Sequence, residues 1–481
     1  MASIADIKSL ESIVGERNVS TRRPDLEAHS IDESWLSPSL PDVVVWPSST
    51  EQVSSIQKYA DEKGLPVVPW SGGSSLEGNP VPVAGGIILA MYRMNKILEI
   101  REDDLQAVVQ PGVIYDQLNA KLRRLGMHFP PSPGSGDVAT IGGMVANNSS
   151  GMRAFKYGVT RNYVLKLEIV LPNGQVIHAG SNAKKSTSGY DLVSLFVGSE
   201  GTLGVVTEIT LRLAGLPEQT AAVVAVFDEL SQATDTVYEG VRYGLEASAI
   251  EVLDAAVVRV TNAQQGLSLR ERTNGLVEFD GNAAGIEEQI EYLRELCDDN
   301  HCIDLRTATK AEEREELWAA RREVHDSIKF SHPGCTMIAG DVCVPISKFG
   351  EMIEFVHELS QRIGLVIYAF GHAGDGNLHT EAIVHREDEE EFSRGLQATS
   401  EVVEHALELG GTIAGEHGVG LCKREFMERE HGESLAVMQA IKDLLDPKGI
   451  MNPSKIFPTT QSAALCIVHI NSSVRKPKLL A

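Results

Sequence analysis

The sequence predicts an α+β protein with two large domains and a C-terminal helical segment. Its 481 residues are roughly three times the length of a typical domain. Short apolar runs alternate with amphipathic helical patterns in the first part of the chain, and the pattern starts again, with more acidic helices, near Pro217. We therefore expect domains at 1–216 and 217–425, a helical segment at 426–458 and a tail at 459–481.

The clearest element of the first domain is a helix over residues 50–63. Ser49 and Gln52 form a capping box at its start, and Gly64 ends it. Asn173–Gly174 predicts a tight hairpin turn. The other expected elements are a helix at Ile114–Leu125 and strands at Asp42–Trp46, Leu65–Trp70, Ile87–Met91, Gln106–Gln110, Val164–Leu171, Gln175–Ala179 and Gly204–Leu213.

The second domain is expected to combine helices with an antiparallel sheet. Its most specific feature is a hairpin, in which strands at Leu365–Phe370 and Leu378–Val384 flank a turn at Ala373–Gly376. The other expected elements are a strand at Ala221–Phe227, a helix ending near Tyr243, and helices at Ile286–Cys297 and Lys310–Phe330. The tail carries an apolar stretch, Leu465–Ile470, that we expect to dock partly on the protein.

The composition restricts the partners. With 67 acidic and 43 basic residues the net charge is −24, which argues against nucleic acid or an anionic membrane surface as the main partner. No apolar run is long enough to span a membrane. The six cysteines form no CxxC pair, and the N-terminus resembles neither a signal nor a transit peptide. We expect a cytoplasmic location, with any membrane association made through an electron acceptor.

Three glycine-rich clusters lie in the first domain, at 69–78, 131–151 and 198–208. The first, PWSGGSSLEG, follows a buried strand and is either a tight turn or a loop whose N–H groups face an anion. It matches neither the GxGxxG nucleotide motif nor a P-loop. Three turns without bulky side chains indicate a long phosphate-bearing cofactor lying across the backbone.

The segments PDVVVWPSSTEQV, PWSGGSS, PSPGSGDVATIGGMVANNSSG, KYG and GSEGTLGVVTEITLRL, in this order, resemble the FAD-binding domain of the vanillyl-alcohol oxidase/p-cresol methylhydroxylase superfamily. The resemblance covers about residues 40–215 and implies two α+β subdomains that bind FAD. It implies that Ser71, Gly72, Gly73, Ser74 and Ser75 surround the pyrophosphate. The residues that it implies along the rest of the cofactor are Pro133, Gly134, Ser135, Thr140, Gly142, Gly143, Asn147, Ser150, Gly151, Tyr157, Gly158, Glu200, Gly201, Gly204 and Val206.

The same resemblance implies that FAD is held without a covalent bond. Some members of the superfamily attach the flavin through a histidine that follows the two glycines, or through a cysteine in the later loop. This chain has Ser74 at the first place and the cysteine-free stretch Pro131–Gly136 at the second.

A set of histidines and a carboxylate in the second domain has the character of a metal site. The predicted hairpin can bring His372 and His379 face to face, and Glu416 and His417 lie between glycines in what we expect to be an exposed turn. Two histidines and one carboxylate suit zinc, manganese or iron(II) with positions left open. The alternative is that these are ordinary core or surface residues.

An arginine on the helix that contains LWAARRE is the candidate cation for an anionic substrate. From spacing alone, a solvated helix face is the competing interpretation. The segments LWAAR, GDVCVPIS, YAFGHAGDGNLH, TIAGEHGVG and LLDPKGIMNPSKIF resemble the D-lactate dehydrogenase/glycolate oxidase large-subunit/D-2-hydroxyglutarate dehydrogenase branch of the superfamily. This resemblance implies that His372, His379 and Glu416 bind the metal and His417 is the base. It also implies that Arg321 holds the substrate carboxylate and that Asn452 and Lys455 lie near the flavin.

The expected reaction is the oxidation of a small D-2-hydroxy acid to the 2-oxo acid. His417 would accept the hydroxyl proton while a hydride passes from Cα to flavin N5. Relatives specific for 2-hydroxyglutarate carry a lysine two residues before the aspartate of GDVCVPIS. Here that residue is Ala339, which favours a monocarboxylic acid, first of all D-lactate, over 2-hydroxyglutarate.

Other functions remain open at this point. A flavin-free iron or zinc enzyme would use the same triad but leaves the glycine clusters unexplained, and a non-enzymatic flavin-binding module leaves His417 unexplained. The chain is also compatible with the large subunit of a glycolate oxidase or a D-2-hydroxyglutarate dehydrogenase. The sequence does not decide whether a cytochrome, a quinone, an electron-transfer flavoprotein or oxygen accepts the electrons, nor whether the chain forms a homodimer.

Overall fold

The computed structural model describes residues 4–458 and confirms the α+β fold class. The tail at 459–481, including the stretch expected to dock, lies outside the described residues. The described chain forms a four-stranded, a five-stranded and a seven-stranded sheet and one two-stranded pair. The first half supplies the two smaller sheets and the pair, and the second half supplies the largest sheet.

The helices and strands of the first half are short. The helices are α1 (Ile4–Val14), α2 (Arg23–Glu27), α3 (Thr50–Lys63), α4 (Tyr115–Arg123), α5 (Ile141–Asn147), α6 (Ala154–Tyr157) and α7 (Leu192–Phe196). The strands are β1 (Val19–Ser20), β2 (Val43–Val45), β3 (Val67–Trp70), β4 (Ile87–Ala90), β5 (Ile97–Arg101), β6 (Gln106–Val109), β7 (Met127–His128), β8 (Val164–Val170), β9 (Val176–Gly180), β10 (Val205–Arg212) and β11 (Ala214–Gly215).

These elements form two subdomains. The four-stranded sheet has the order β1-β2-β4-β3, with β2 and β3 parallel to β4, and the five-stranded sheet has the order β5-β6-β10-β8-β9. The predicted boundaries of α3 are confirmed, since Ser49 accepts a hydrogen bond from the N–H of Gln52 and Gly64 is left-handed at φ +65°. The predicted hairpin is confirmed as the antiparallel pair β8 and β9.

The second glycine cluster differs from the prediction, because part of it is a helix rather than a turn. Thr140 caps α5 by accepting a hydrogen bond from the N–H of Gly143, and Asn148 ends the helix at φ +55°. Glycine is a poor helix former, but Ile141 and Met144 are buried in the core of this subdomain. Tertiary packing therefore outweighs the local preference for a turn.

The second half consists of longer elements. The strands are β12 (Gln219–Phe227), β13 (Ala249–Leu253), β14 (Thr273–Gly281), β15 (Asp304–Ala308), β16 (Thr336–Cys343), β17 (Ile367–His372) and β18 (Asn377–Val384). The helices are α8 (Leu230–Tyr243), α9 (Ala255–Gln265), α10 (Ala283–Asp299), α11 (Ala311–Arg322), α12 (Val324–Ser331), α13 (Phe349–Ile363), α14 (Glu389–Glu408), α15 (Met427–His431) and α16 (Ser434–Leu445).

The seven strands form one antiparallel sheet in the order β15-β12-β14-β13-β17-β18-β16. Helices α8, α10, α13 and α14 cover one face and bury the larger core. Helices α9, α11 and α12 cover part of the other face. Because side chains alternate along a strand, every second residue of the central strands points to this second face, where Glu251, His372 and His379 lie.

The helix predicted over 310–330 is divided into α11 and α12. Glu323 leaves helical geometry, at φ −88° and ψ 8°, and separates the two helices. The division lets Trp318 from α11 and Val324 and Ile328 from α12 all pack into the core beneath the sheet. The break therefore follows from packing on a twisted sheet surface.

The end of the described chain returns to the first half. Met451 pairs with Val67 of β3, and the N–H of Asn452 donates to the backbone oxygen of Val67 at 2.8 Å. Lys442 in α16 donates to the backbone oxygen of Thr202 at 2.7 Å. The last described residues thus complete the first sheet. Among residues 4–458, every helix is too short or too polar to cross a membrane.

Candidate active site

The three glycine-rich clusters meet at one junction. A Cβ atom on Gly72 would lie 2.5 Å from the backbone oxygen of Val138, so the first cluster packs directly on the second. Gly151 has φ +103°, which requires glycine. The N–H of Glu200 donates to Ala146 in α5 at 2.9 Å and joins the third cluster. Most of the other residues expected at the cofactor lie in this region, on α5, at the start of β10 or in nearby loops. They are Pro133, Gly134, Ser135, Gly142, Gly143, Gly158, Gly201, Gly204 and Val206.

The first cluster offers backbone donors that the protein does not use. Within residues 4–458, the N–H groups of Gly72, Gly73 and Ser74 have no protein acceptor. The hydroxyl of Ser71 is hydrogen-bonded to that of Thr140, which holds the loop against α5. Neighbouring free N–H groups beside hydroxyls suit phosphate oxygens, so this loop fits the pyrophosphate of FAD.

Several residues expected at the cofactor use their side chains within the protein. The hydroxyl of Ser75 donates to Asp32 at 2.9 Å, and that of Tyr157 donates to Asp280 in β14 at 2.7 Å. Asn452 donates its amide to two backbone oxygens at 2.7 and 2.9 Å. These side chains position the loops and strands around the junction.

Glu200 joins the junction to the loop that follows α14. Its carboxylate accepts hydrogen bonds from the N–H groups of Val419 and Gly420 at 2.8 and 2.9 Å. Asn147 donates its amide to the backbone oxygen of His417 at 3.1 Å. With the amide of Asn79, which donates at 2.7 Å, three protein donors hold the Glu200 carboxylate, so its side chain ties the junction to this loop.

The candidate metal ligands converge on one point. His372 ends β17, His379 lies opposite on β18, and Glu416 comes from the loop after α14. The two histidine Nε2 atoms are 3.4 Å apart, and Oε1 of Glu416 lies 3.5 and 3.4 Å from them. Donors at about 2.0–2.1 Å from one tetrahedral ion lie about 3.4 Å apart, so the triad has the spacing of ligands to a single metal.

Glu251 orients the triad from behind, and sequence reasoning missed it. It is fully buried in β13, and its Oε1 accepts the Nδ1–H of His372 at 2.5 Å. Its other oxygen accepts a hydrogen bond from Arg321 Nε. The bond to Glu251 sets His372 as the Nδ1–H tautomer and leaves the lone pair of Nε2 facing the triad.

Arg321 lies beside the triad and contacts Glu251. It projects from α11, is only 7% exposed, and its guanidinium lies 5.1 Å from the centre of the Phe370 ring. One terminal nitrogen is 3.5 Å from Nδ1 of His372. Because Glu251 uses the Nε–H, the remaining guanidinium N–H groups are the ones suited to a carboxylate near the triad.

Asp341, a second buried carboxylate that sequence reasoning left without a role, holds the loop carrying Glu416. Its Oδ2 accepts the backbone N–H groups of Glu416 and His417, both at 2.9 Å, and its Oδ1 lies 3.6 Å from Nδ1 of His379. Lys423 lies 2.8 Å from Glu77 and 3.6 Å from Asp341, so one cation faces both buried carboxylates. Asp341, His379 and His417 also have donor atoms within 4.8 Å of one another, but Asp341 is already committed to these hydrogen bonds.

The charges around the triad outweigh the effect of burial at two of its members. Burial lowers the pKa of His372, but Glu251 and Glu416 raise it to about 10. Burial and the charge of His417 lower the pKa of His379 to about 3. Burial raises the pKa of Glu416, but the hydrogen bond and charge of His372 lower it well below its usual range. His379 is therefore neutral and Glu416 is ionised, which are the forms that bind a metal ion. Only at His372 would a metal ion have to displace a proton.

His417 lies next to the triad. Its ring stacks on that of His379 with centroids 5.1 Å apart, and its Nδ1 lies 3.8 Å from Glu77. Burial lowers the pKa of His417, but Asp341, Glu77 and the neighbouring Glu416 raise it. A histidine held beside a candidate metal site without being one of the three ligands is placed to exchange a proton there.

The expected exposed turn at Glu416 and His417 is wrong. The two side chains are 15% and 17% exposed, because the loop lies between the two halves of the chain. Ser150 donates its hydroxyl to Oε2 of Glu416 at 2.8 Å, and Asn147 holds the backbone of His417. The clusters of the first half and the triad of the second half therefore form one continuous site.

Comparison with known families identifies the first half and the second half separately. The family described as FAD binding domain matches residues 41–180, and the family described as FAD linked oxidases, C-terminal domain, matches residues 216–456. The chain belongs to the FAD-linked oxidases. It is therefore an FAD-linked oxidoreductase, and the branch predicted from the sequence is confirmed.

Curated relatives of this FAD-linked oxidase cover most of its length. Glycolate oxidase subunit GlcD of Bacillus subtilis is 37% identical over 94% of this chain and 97% of its own length. The D-lactate dehydrogenase [cytochrome] of Arabidopsis thaliana mitochondria is 38% identical over 87% of this chain and 74% of its own. A D-lactate dehydrogenase of Archaeoglobus fulgidus is 35% identical over 86% and 91%.

Solved structures confirm the predicted fold. p-Cresol methylhydroxylase with substrate bound has a TM-score of 0.77 at 16% identity and covers 94% of this chain and 96% of its own. The 4-ethylphenol oxidase from Gulosibacter chungangensis has a TM-score of 0.76 at 19% identity and covers 94% and 97%. At these identities the likeness shows the architecture alone.

The residues that sequence reasoning missed are buried acids in apolar strands. Glu251 lies in the run Ala249–Leu253, and Asp341 in β16 is likewise fully buried. A charged residue inside an apolar strand is rare unless it has a partner, and that pattern was the available signal. The partner itself could not be found in this way, since Glu251 and His372 are 121 residues apart.

Acid precipitation should release the flavin of this FAD-linked oxidase into the supernatant. Ser74 follows the two glycines of the first cluster, and the loop 131–136 contains no cysteine, so the two side chains expected to attach a flavin are missing. The measurement is visible absorbance of supernatant and pellet after precipitation with trichloroacetic acid. A yellow pellet after washing would contradict non-covalent binding.

Proposed function

We propose that this enzyme oxidises a small D-2-hydroxy monocarboxylic acid, such as D-lactate, to the 2-oxo acid, with FAD and a divalent metal ion. The observation that carries the proposal is the triad of His372, His379 and Glu416, with His417 beside it and Arg321 within reach. The names of the relatives support the substrate class, since they include a glycolate oxidase subunit and D-lactate dehydrogenases.

Two bound groups supply the chemistry that side chains do not. FAD, when bound, supplies the acceptor for the hydride that leaves C2 of the substrate. A divalent ion at the triad, when bound, supplies positive charge that favours loss of the hydroxyl proton of the substrate. The same charge would lower the pKa of His417, which the nearby carboxylates raise. Zinc, manganese and iron(II) all suit two imidazoles and a carboxylate.

The chain's own residues then have distinct tasks. His417 takes the C2 hydroxyl proton at Nε2, because its Nδ1 faces Glu77. Arg321 binds the substrate carboxylate through the N–H groups that Glu251 does not use. Asp341 fixes the position of His417 by accepting its backbone N–H, and Asn147 holds its backbone oxygen. The buried setting strengthens these charged contacts by excluding water.

The surroundings of Ala339 favour a monoacid as the substrate. Ala339, the residue that replaces the lysine of 2-hydroxyglutarate enzymes, lies buried on β16, two residues from Asp341. Its cross-strand neighbour on β18 is Glu381, an acid. A second carboxylate beside that acid would meet repulsion rather than attraction.

A panel of four acids tests this preference. We expect kcat/KM for D-lactate to exceed that for D-2-hydroxyglutarate by at least about tenfold, since like charges in contact are strongly disfavoured. Glycolate and D-2-hydroxybutyrate serve as the smaller and larger monoacid controls. Reduction of an artificial dye is the readout, so that the result is independent of the natural acceptor. A preference for D-2-hydroxyglutarate would contradict the proposal.

A separate electron acceptor completes the proposed cycle. The names of the plant relative and of a yeast relative specify a cytochrome for those enzymes. A cytochrome, a quinone or an electron-transfer flavoprotein would each reoxidise the flavin of this chain between turnovers. Reoxidation rates of the reduced enzyme against these three and oxygen distinguish a dehydrogenase from an oxidase.

A further inference from the structure

A buried carboxylate that the proposed reaction does not use lies beside the triad. Glu381 is two residues beyond His379 on β18, so both side chains point to the same face of the sheet, with Cα atoms about 7 Å apart. Its side chain is 4% exposed. Its Oε1 accepts the Nδ1–H of His325 at 2.8 Å, whereas its Oε2 is buried without a hydrogen-bond partner among residues 4–458.

The neighbouring strands do not supply the missing donor. Ala339 on β16 and Tyr368 on β17 are the cross-strand neighbours of Glu381. Ala339 has no polar side-chain atom, and the hydroxyl of Tyr368 is hydrogen-bonded to His332 at 3.0 Å. A buried carboxylate oxygen without a donor is unfavourable, so it marks a place where a bound molecule can supply one.

The helices above the sheet connect this carboxylate to the reaction site. Arg321 on α11 reaches Glu251 behind the triad, and His325, four residues later on α12, reaches Glu381. The same two helices therefore cover the triad and the unused acceptor together. The side chain of His325 is 33% exposed, so solvent reaches the helix surface beside Glu381.

We propose that Glu381, held by His325, is a specificity-determining acceptor for a hydroxyl group on C3 or C4 of the substrate. The inference rests on the proposed function and narrows it to D-2-hydroxy monoacids with a second hydroxyl group. Small acids such as D-lactate fit the same site, but their methyl group leaves the Glu381 oxygen unpaired. A site built to hydrogen-bond a hydroxyl discriminates against the analogue that lacks it.

Two pairs of matched acids test the proposal on the wild-type holoenzyme. D-glycerate differs from D-lactate by one oxygen on C3, and D-2,4-dihydroxybutyrate differs from D-2-hydroxybutyrate by one oxygen on C4. We expect kcat/KM for the hydroxylated member of at least one pair to be higher by about 10- to 100-fold. Ratios near one for both pairs would overturn the proposal, whatever the variants do.

Substitution then assigns the preference to this residue. Glu381→Leu should remove the preference for the hydroxylated acid, so that kcat/KM for the two members of each pair differs by less than about twofold. Tyr368→Phe is the matched control, because it removes a neighbouring hydroxyl that is engaged with His332, and it should keep the wild-type ratio. Glu381→Met, which has a similar length but no carboxylate oxygen, replaces the leucine variant if that variant does not fold.

The outcomes separate this inference from the proposed function. If D-lactate is oxidised and the preference for the hydroxylated acid persists in the folded Glu381 variants, the assignment to Glu381 is wrong while the proposed function stands. If none of the four acids reduces the flavin, both are wrong. A preference that is lost in the Glu381 variants and kept in Tyr368→Phe supports the inference.

Discussion

Replacement of His417 by alanine should lower kcat by about 10²- to 10⁴-fold, the usual contribution of a positioned general base. The side chain of His417 is one of the least replaceable at this site, because it lies beside the triad and is positioned from both sides. Its backbone is held by Asp341 and Asn147, and its ring stacks on His379. Those contacts involve the backbone or one face of the ring, so the loop should keep its position without the imidazole.

The variant is informative only if both bound groups remain. The ratio of flavin to protein and the metal content should equal those of the wild type, since His417 is outside the triad. Steady-state kinetics with D-lactate and an artificial dye supply kcat. A value of kcat within about twofold of the wild type, with both groups bound, would place the base elsewhere.

Loss of the metal site should abolish turnover while leaving the flavin bound. His379→Ala removes one of three converging donor atoms and should lower metal affinity by several orders of magnitude, because two ligands hold a divalent ion poorly. The free N–H groups of the first glycine cluster lie in the first half of the chain and do not depend on this histidine. Metal content by mass spectrometry and flavin absorbance report the two groups separately.

His357→Ala is the matched control for that experiment. His357 is a half-exposed histidine on α13 that bonds to Asp254, outside the triad. We expect its metal content and turnover to equal those of the wild type. Dialysis of the wild type against a chelator should reproduce the effect of His379→Ala and be reversed by adding zinc, manganese or iron(II). Full activity in a preparation verified to be free of metal would contradict a role for the ion.

Much of the fold was predictable because its signals are local. The boundaries of α3 follow from Ser49 and Gly64, and the hairpins follow from Asn173–Gly174 and from the glycines between β17 and β18. Each of these signals depends on neighbours a few residues away. The helix α5 was not predictable in the same way, since its glycines favour a turn and only burial of its apolar side chains reverses that preference.

The sequence predicts the most distinctive residues of the candidate site but not the buried acids that hold them in place. Two histidines on one hairpin and a glutamate in a glycine-rich loop form a pattern visible in the sequence. The contact of Glu251 with His372 depends on the sheet order, which places β13 beside β17. The burial of Glu416 depends likewise on the packing of the two halves against each other, which no local pattern contains.

In the proposed function, one site combines FAD with the oxidation of a D-2-hydroxy acid. Anaerobic mixing of the purified holoenzyme with D-lactate, followed by its absorbance spectrum and by an assay for pyruvate, tests it most directly. We expect loss of the visible flavin band with one pyruvate formed per flavin reduced. An unchanged flavin spectrum with D-lactate, glycolate, D-glycerate and D-2-hydroxyglutarate, in enzyme loaded with metal, would contradict it.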